Sequence, residues 1–352
     1  MAGPRLGRLG GDARPVSNRR PTLTVVVPVL DERTHLPGLL ASIRGQSLPP
    51  DEVILVDGMS RDGSREWLAD AARSAPWLRL VDNPDRIVPC AMNRGILAAR
   101  GDLVARMDGH ATYAPDYLER LVEALRAHPE AAGSGGVYAM SGSGPWGGAI
   151  AAILRHRLAL GGAPHRTASS GRWVDHVGTG CYRREALLRV HGFDPSLPVN
   201  EDFELDYRIR ATGGRIWLEP SARFTSYSRS SPRALARQMW RYGFYKARTL
   251  VLHPASLKAR QTAPPIVVGV IITTLVVRPR SGLLAAAGYA AASAAAGATI
   301  AARAQESPAR GALALPLVHL AWGSGLWAGL LHHGVRRLTG RGTMPPHTSP
   351  RP

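Results

Sequence analysis

Residues 23–58 read LTVVVPVLDERTHLPGLLASIRGQSLPPDEVILVDG. Two short apolar runs, LTVVVPV at 23–29 and EVILVDG at 52–58, flank a segment in which Leu36, Leu39, Leu40 and Ile43 recur at helical spacing. A Val-rich run without polar alternation suits a strand covered on both faces, as in a parallel sheet. The pattern then repeats: a helical segment from about Asp62 to Arg73, a strand near Leu78–Val81, a helix from about Cys90 to Ala99, and the strand DLVARMD. Such alternation predicts an α/β layered domain whose mostly parallel sheet is flanked by helices.

In sheets of this kind ligands sit beyond the carboxyl ends of the strands. Each predicted strand ends in polar groups: Asp31 and Glu32, then Asp57, then Asp82 and Asn83, then Asp108 and His110. One acid after a strand is usually a turn former or a helix cap; four sets on one rim point to a ligand site. The loop DGMSRDGS at 57–64 lets backbone approach a nucleotide closely, yet this loop has neither the Walker lysine nor the G-x-G-x-x-G fingerprint, which argues against an NTPase or a dinucleotide enzyme. Asp108 and His110 lie two apart, so in extended backbone they point to one side and can grip one divalent cation, Mg²⁺ or Mn²⁺; the other reading is a loop acid beside a surface histidine.

Further along, residues 173–220 carry the pair Glu201 and Asp202 between a Pro-containing loop and a helical pattern that stops at Gly213-Gly214. Asn200 is placed to cap that helix, and acids suit its first turn, so the pair reads either as capping or as chemistry. Residues 130–172 are rich in Gly, Ser and Ala. They read as a mobile flap whose Ile150–Leu160 piece touches lipid or acceptor, or equally as a core helix between flexible loops.

With 352 residues the chain can bury a core without disulfides, and its two cysteines, Cys90 and Cys181, have no metal-ligand spacing; a reducing compartment is the simpler setting. A net charge of +18 invites a nucleic-acid reading, but arginine is dispersed and aromatics are only 6%, too few for stacking platforms, so no nucleic-acid partner is expected. Anionic lipid, a diphosphate substrate or codon usage accounts for the charge equally well. Residues 1–21 are basic, with no apolar core of the signal-peptide kind, and are expected to be disordered, leaving the following domain in the cytoplasm.

After Pro220 a basic, aromatic stretch at 231–263 reads as an interfacial helix. Beyond it, 264–332 holds three apolar runs, Pro264–Val277, Ser281–Ala302 and Ala312–Leu331, of which the latter two are long enough to span a bilayer. Two or three membrane helices are expected; arginines bracket all three runs, so orientation stays open. The tail, 333–352, is expected to be disordered.

Taken in order, VVVPVLDER, VDGMSRDGS, RMDGHATY, the NEDFELDYRIRATGGRIWLEP block and QMWRY resemble the motifs of family 2 glycosyltransferases over residues 22 to about 250. RMDGHA, the YRRE and NED blocks and RYGFYKART are especially similar to the ExoA-type membrane glucosyltransferases of succinoglycan assembly. The resemblance implies a GT-A catalytic domain at 22–230. It places Pro28, Asp31, Glu32 and Asp57 near the nucleoside, Asp108 on the first acid of the family's metal-binding D-x-D, Asp202 on its catalytic base, and Gln238 and Arg241 on the Q-x-x-R-W element that helps hold diphosphate and acceptor. Glu201 would help to position acceptor or base. His110 stands where the family has a second acid and Tyr242 where it has Trp. The implied activity is inverting transfer of a sugar from a nucleotide-diphosphate donor, a UDP-hexose such as UDP-glucose, to a lipid-linked saccharide at the cytoplasmic face of the cell membrane. A polyprenyl-phosphate sugar transferase or a processive synthase of the same fold is the alternative, and a non-enzymatic basic membrane protein a more distant one.

Overall fold

The two apolar runs form β1 (Leu23–Val29) and β2 (Glu52–Asp57), paired in parallel with Val25 opposite Val53 and Val27 opposite Leu55. This computed structural model describes residues 19–109 and 111–338. Between the runs lies α1 (Leu36–Arg44), and after them come α2 (Ser64–Ser74), β3 (Leu78–Asp82), α3 (Val88–Ala98) and β4 (Leu103–Arg106). Both faces of these strands are covered, as the lack of alternation predicted. Val25, Val27, Val53 and Leu55 pack with α1, α2 and α4 (Tyr117–Ala127) on one side, while Val26, Ile54 and Val56 pack with α3, α8 (Arg184–Arg189) and α9 (Glu201–Ala211) on the other.

Among the described residues nine strands form one sheet, in the order β3-β2-β1-β4-β8-β6-β9-β5 with β7 on β9. The β3-β2-β1-β4 block is parallel, as expected. Beyond it the sheet is mixed. The strand β8 (Gly180–Arg183) runs antiparallel to both β4 and β6 (Ala131–Ser141). The long β9 (Arg215–Tyr227) is parallel to β6 and antiparallel to β5 (Ala111–Tyr113) and β7 (Arg172–Val174).

The glycine-rich region does not form a flap: residues 131–141 are the interior strand β6. Its glycines are there for close approach, since a Cβ on Gly133 would lie 2.4 Å from the Tyr182 ring and one on Gly136 only 2.2 Å from the Ala222 carbonyl oxygen. The helix after it, α5 (Gly144–Arg155), buries Ile150, Ile153 and Leu154 against Leu235, Met239, Leu315 and Val318, which settles it as a core helix. Two short helices, α6 (Arg157–Leu160) and α7 (Pro164–Thr167), lead from it to β7.

The C-terminal region is α10 (Pro232–Leu252), α11 (Ala263–Val277), α12 (Pro279–Arg303) and α13 (Pro308–Leu338). Two helical stretches, Pro279–Arg303 and Pro308–Val335, are long and apolar enough to cross a membrane, and Ala263–Val277 is apolar but shorter. Large exposed apolar side chains concentrate on α11 to α13, among them Ile272, Val276, Leu283, Leu284 and Leu331. The stretch read as interfacial, α10, packs tightly against α13: a Cβ on Gly243 would lie 2.0 Å from the Trp322 carbonyl oxygen. Of the N-terminus expected to be disordered, 1–21, residues 1–18 fall outside the described residues; of the tail expected to be disordered, 333–352, residues 333–338 instead continue α13, and 339–352 fall outside the described residues.

Candidate active site

Arg106 closes β4 with its side chain almost buried, and it is the hub of the site. Its Nε donates to Oδ1 of Asp108 at 2.7 Å and its Nη2 to Oδ2 at 3.3 Å, while Nη1 donates to Oε1 of Glu201 at 3.0 Å. One guanidinium therefore joins the end of β4 to the start of α9. A planar fork of donors suits two carboxylates at once, which a lysine ammonium cannot match. Burial pulls the Arg106 pKa down, but Asp108 and Glu201 hold it well above its ordinary value, so the guanidinium stays charged. The backbone at Asp108 is fixed from below, its N–H donating to the Tyr113 hydroxyl at 2.6 Å, and Tyr113 stacks on Phe224 in the core.

The helix α9 carries four acids in its first six residues, and their surroundings separate them. Glu204 is buried and held by Arg208 (2.6 Å from Nε to Oε1) and by His253 (2.8 Å), which outweigh burial and lower its pKa. Asp206 is wholly buried; it accepts from Val177 N–H at 2.9 Å, from the Tyr182 hydroxyl at 2.8 Å and meets His176 Nδ1 at 2.9 Å. Burial, then the neighbouring Asp202, push the Glu201 carboxyl up to about 7, with Arg106 pulling the other way. Asp202 differs: its side chain remains 30% exposed. It lines, with Arg106, a small cavity of ≈ 10 Å³, and its Oδ2 lies 3.9 Å from His176 Nε2.

Asn200 occupies the N-cap position in a left-handed conformation (φ 64°), but its side chain does not cap. Its Nδ2 donates instead to the Tyr242 carbonyl at 3.0 Å, tying the start of α9 to α10. The expected cap is thus a bridge between elements. One turn earlier on α10, Gln238 Nε2 donates to the Tyr242 hydroxyl at 3.1 Å, while Arg241 is exposed.

On the β1 and β2 side, loops 30–35 and 57–65 are laced together. Asp31 (φ 54°) accepts from Arg61 N–H at 2.8 Å, and the Asp31 and Glu32 N–H groups donate to the Ser60 and Ser64 hydroxyls at 2.9 and 3.0 Å. Asp57 is fully buried and ion-paired at 3.0 Å with Arg65, which also reaches Asp82 at 2.9 Å. Pro28 sits in β1 opposite Val56.

Comparison with known proteins decides the assignment. The family model described as glycosyl transferase family 2 matches residues 24–188. Over 324 residues, 87% of this chain and 94% of the relative, the sequence is 35% identical to the succinoglycan biosynthesis protein ExoA of Rhizobium meliloti. The chain belongs to glycosyltransferase family 2. A second relative, the dolichyl N-acetyl-alpha-D-glucosaminyl phosphate 3-beta-D-2,3-diacetamido-2,3-dideoxy-beta-D-glucuronosyltransferase of Methanococcus voltae, is 23% identical over 64% of this chain and 72% of its own. Among solved structures, the Pyrobaculum calidifontis mannosyltransferase PcManGT, in complex with GDP-Man and Mn²⁺, aligns with a TM-score of 0.55 at 22% identity, over 92% of this chain and 89% of that one. Its likeness shows the GT-A fold.

For this family 2 enzyme the structure brings Asp108 and the Glu201-Asp202 pair to one place. Gln238 joins them indirectly, through Tyr242 and Asn200. Asp31 belongs to the loop after β1, and Asp57 is the last residue of β2. His110, expected to share a cation with Asp108, lies outside the described residues. Among those residues no cluster of three or more His, Cys, Asp or Glu side chains gathers. What is present still fits a hard divalent cation: Asp108 supplies carboxylate oxygens, and Glu32 reaches the adjacent turn, where a Cβ on Gly109 would lie 3.6 Å from its Oε2. Substrate oxygens would have to complete such a shell.

Two residues that sequence reading passed over, Arg106 and His176, make central contacts. Only the position of Arg106, two residues before Asp108 and so on the same strand face, hinted at its part.

Proposed function

We propose that the enzyme transfers a sugar with inversion from a nucleotide-diphosphate donor, a UDP-hexose such as UDP-glucose, to a lipid-linked saccharide at the membrane. The observation carrying this reading is the division of labour on α9: three of its acids are buried and bonded, and Asp202 alone of the four keeps an accessible carboxylate beside the Arg106–Asp108 pair. Asp202 would remove the proton from the acceptor hydroxyl as it attacks the anomeric carbon. Because a nucleoside diphosphate is already a good leaving group, no acid partner of the glycosidase kind is required. Glu201 and Arg106 set the position of Asp202 and Asp108, and Asp31, Glu32 and Asp57 shape the loops that would receive the nucleoside. A divalent cation, Mn²⁺ or Mg²⁺, would be held by Asp108 with Glu32 and His110 as further candidates, and when bound it neutralises charge on the diphosphate.

The lipid part of the acceptor has a matching surface. An open groove of ≈ 500 Å³ between α10, α11 and α13 is lined by Trp240, Val268, Leu317 and Leu320 with Arg237 among them. Arg233, Arg237 and Arg241 fall four apart along α10 and are all exposed, so a cationic row leads along α10 from the groove towards Tyr242. Gln238 and Arg241 would hold diphosphate and acceptor there. The two long apolar helices are consistent with membrane insertion, and the catalytic domain would then lie at the cytoplasmic face.

Membranes containing the enzyme, incubated with a panel of labelled nucleotide sugars and a lipid-linked saccharide, with and without Mn²⁺, test this reading. One added residue on the lipid-linked product is expected, abolished in Asp202→Asn. Labelling of polyprenyl phosphate itself, or a ladder of products, would replace it with the polyprenyl-phosphate transferase or the processive synthase, and the absence of any transfer would overturn it.

A further inference from the structure

His176 lies between two acids of α9. Its Nδ1 is 2.9 Å from Oδ2 of the wholly buried Asp206, and its Nε2 is 3.9 Å from Oδ2 of the partly exposed Asp202. Asp206 is itself immobilised, since the Val177 N–H and the Tyr182 hydroxyl donate to it at 2.9 and 2.8 Å. The ring is held edge-on against His165 (5.1 Å between centroids, 84°) and Phe203 (5.5 Å, 63°). A carboxylate with two other donors on it accepts from Nδ1–H, and that choice of tautomer leaves Nε2 as the basic nitrogen on the Asp202 side.

We propose that His176, oriented by Asp206, is a positioning residue that takes from Asp202 the proton removed from the acceptor. This inference rests on the transferase reading above. In the transfer step the acceptor O–H bond breaks, the new bond from that oxygen to the anomeric carbon forms, and the bond from the anomeric carbon to the diphosphate breaks with its electron pair leaving on the nucleotide. The proton is then on Asp202. Rotation of the Asp202 carboxylate closes the 3.9 Å gap, and the proton passes to Nε2. The resulting imidazolium is stabilised by the Asp206 carboxylate, Asp202 is again an anion ready for a second acceptor, and the proton leaves to water through the 12% of His176 that is exposed. The relay explains why a buried acid is spent on a histidine rather than replaced by an apolar residue, which would cost the core less.

Two variants test it in the full-length enzyme. His176→Asn keeps an N–H donor near the position of Nδ1 and so keeps the Asp206 contact, but removes Nε2; kcat should fall about 10- to 100-fold while the donor KM stays within about twofold. His176→Ala should lose as much, and added imidazole should restore part of its kcat without changing that of wild type. Undiminished kcat in His176→Asn, or a loss in His176→Ala that imidazole does not restore, would overturn the relay and leave His176 a packing residue. Wild-type enzyme assayed alongside separates the two levels: if it transfers no sugar, the transferase reading fails; if it transfers and the variants match it, only the relay does.

Discussion

Arg106 and Glu201, 95 residues apart in the chain, meet at 3.0 Å between Nη1 and Oε1, and the same guanidinium grips Asp108 from its other edge. The contact fixes the spacing between the end of β4 and the start of α9, the two elements that carry the proposed donor and acceptor chemistry. Replacing Arg106 by Met strands two nearly buried carboxylates. A loss of about 3 kcal/mol or more in stability is expected by thermal unfolding, with a fall in kcat of at least about 100-fold. Arg106→Lys, which can reach one carboxylate but not both, should fall between the two in both measurements.

Glu201 titrates near neutrality because burial and the adjacent Asp202 push its carboxyl up to about 7. Protonation removes its attraction for Arg106, so kcat should decline on the acid side with an apparent pKa near 7, and Glu201→Gln should abolish that limb at a lower plateau. Stability moves the opposite way. A carboxyl whose pKa is higher folded than unfolded favours folding fully below its ordinary 4.5, and the contribution is lost as pH rises through about 7. Melting temperatures of wild type and Glu201→Gln across pH 4.5–7 should therefore shift in favour of the Gln variant as pH rises.

Gly136 in β6 leaves 2.2 Å between a notional Cβ and the Ala222 carbonyl oxygen, both of them backbone-bound in one sheet. Gly136→Ala must push β6 away from β9, and a destabilisation of about 2 kcal/mol or more is expected in denaturant titration. The control is Gly38→Ala in α1, where nothing lies within 4 Å; there the change should be neutral or stabilise by up to about 1 kcal/mol.

Asn200 combines a left-handed backbone (φ 64°) with the 3.0 Å bond to Tyr242. Asn200→Gly keeps the backbone and loses the bond; Asn200→Ala loses both. Thermal unfolding should show the Ala variant about 1 kcal/mol less stable than the Gly variant, the strain of a Cβ in that region. Both should show reduced kcat if the bond sets the height of Asp202, a comparison that kinetic assay of the pair makes directly.

The parallel half of the sheet was legible because β1 and β2 are apolar on both faces and only a covered strand tolerates that. The acid pair of α9 was legible through its neighbours in the chain. What was hidden follows from physical causes. Composition marks Gly133, Gly135 and Gly136 as loop residues, whereas they are small because Tyr182, Val177 and Ala222 press on β6. Arg106 is one of 44 basic residues and its task depends on a partner 95 positions away. His176 gains meaning only when α9 is folded beside it, for no spacing links 176 to 202 and 206. Asn200 read as a cap because residue type predicts capping, while the vacancy on its side chain was filled by Tyr242 from another helix.

The tight seat of α10 on α13 has a further consequence. Through Gly243 against Trp322, and through Asn200 on Tyr242, the start of α9 is tied to α13, so the proposed base Asp202 would be held at one altitude above a membrane that α13 entered. For an acceptor anchored by its lipid, only a glycan of one reach presents its terminal hydroxyl at that altitude. On the proposed reading, each addition would lift the new terminus past Asp202, so geometry alone would limit chain growth to a single sugar.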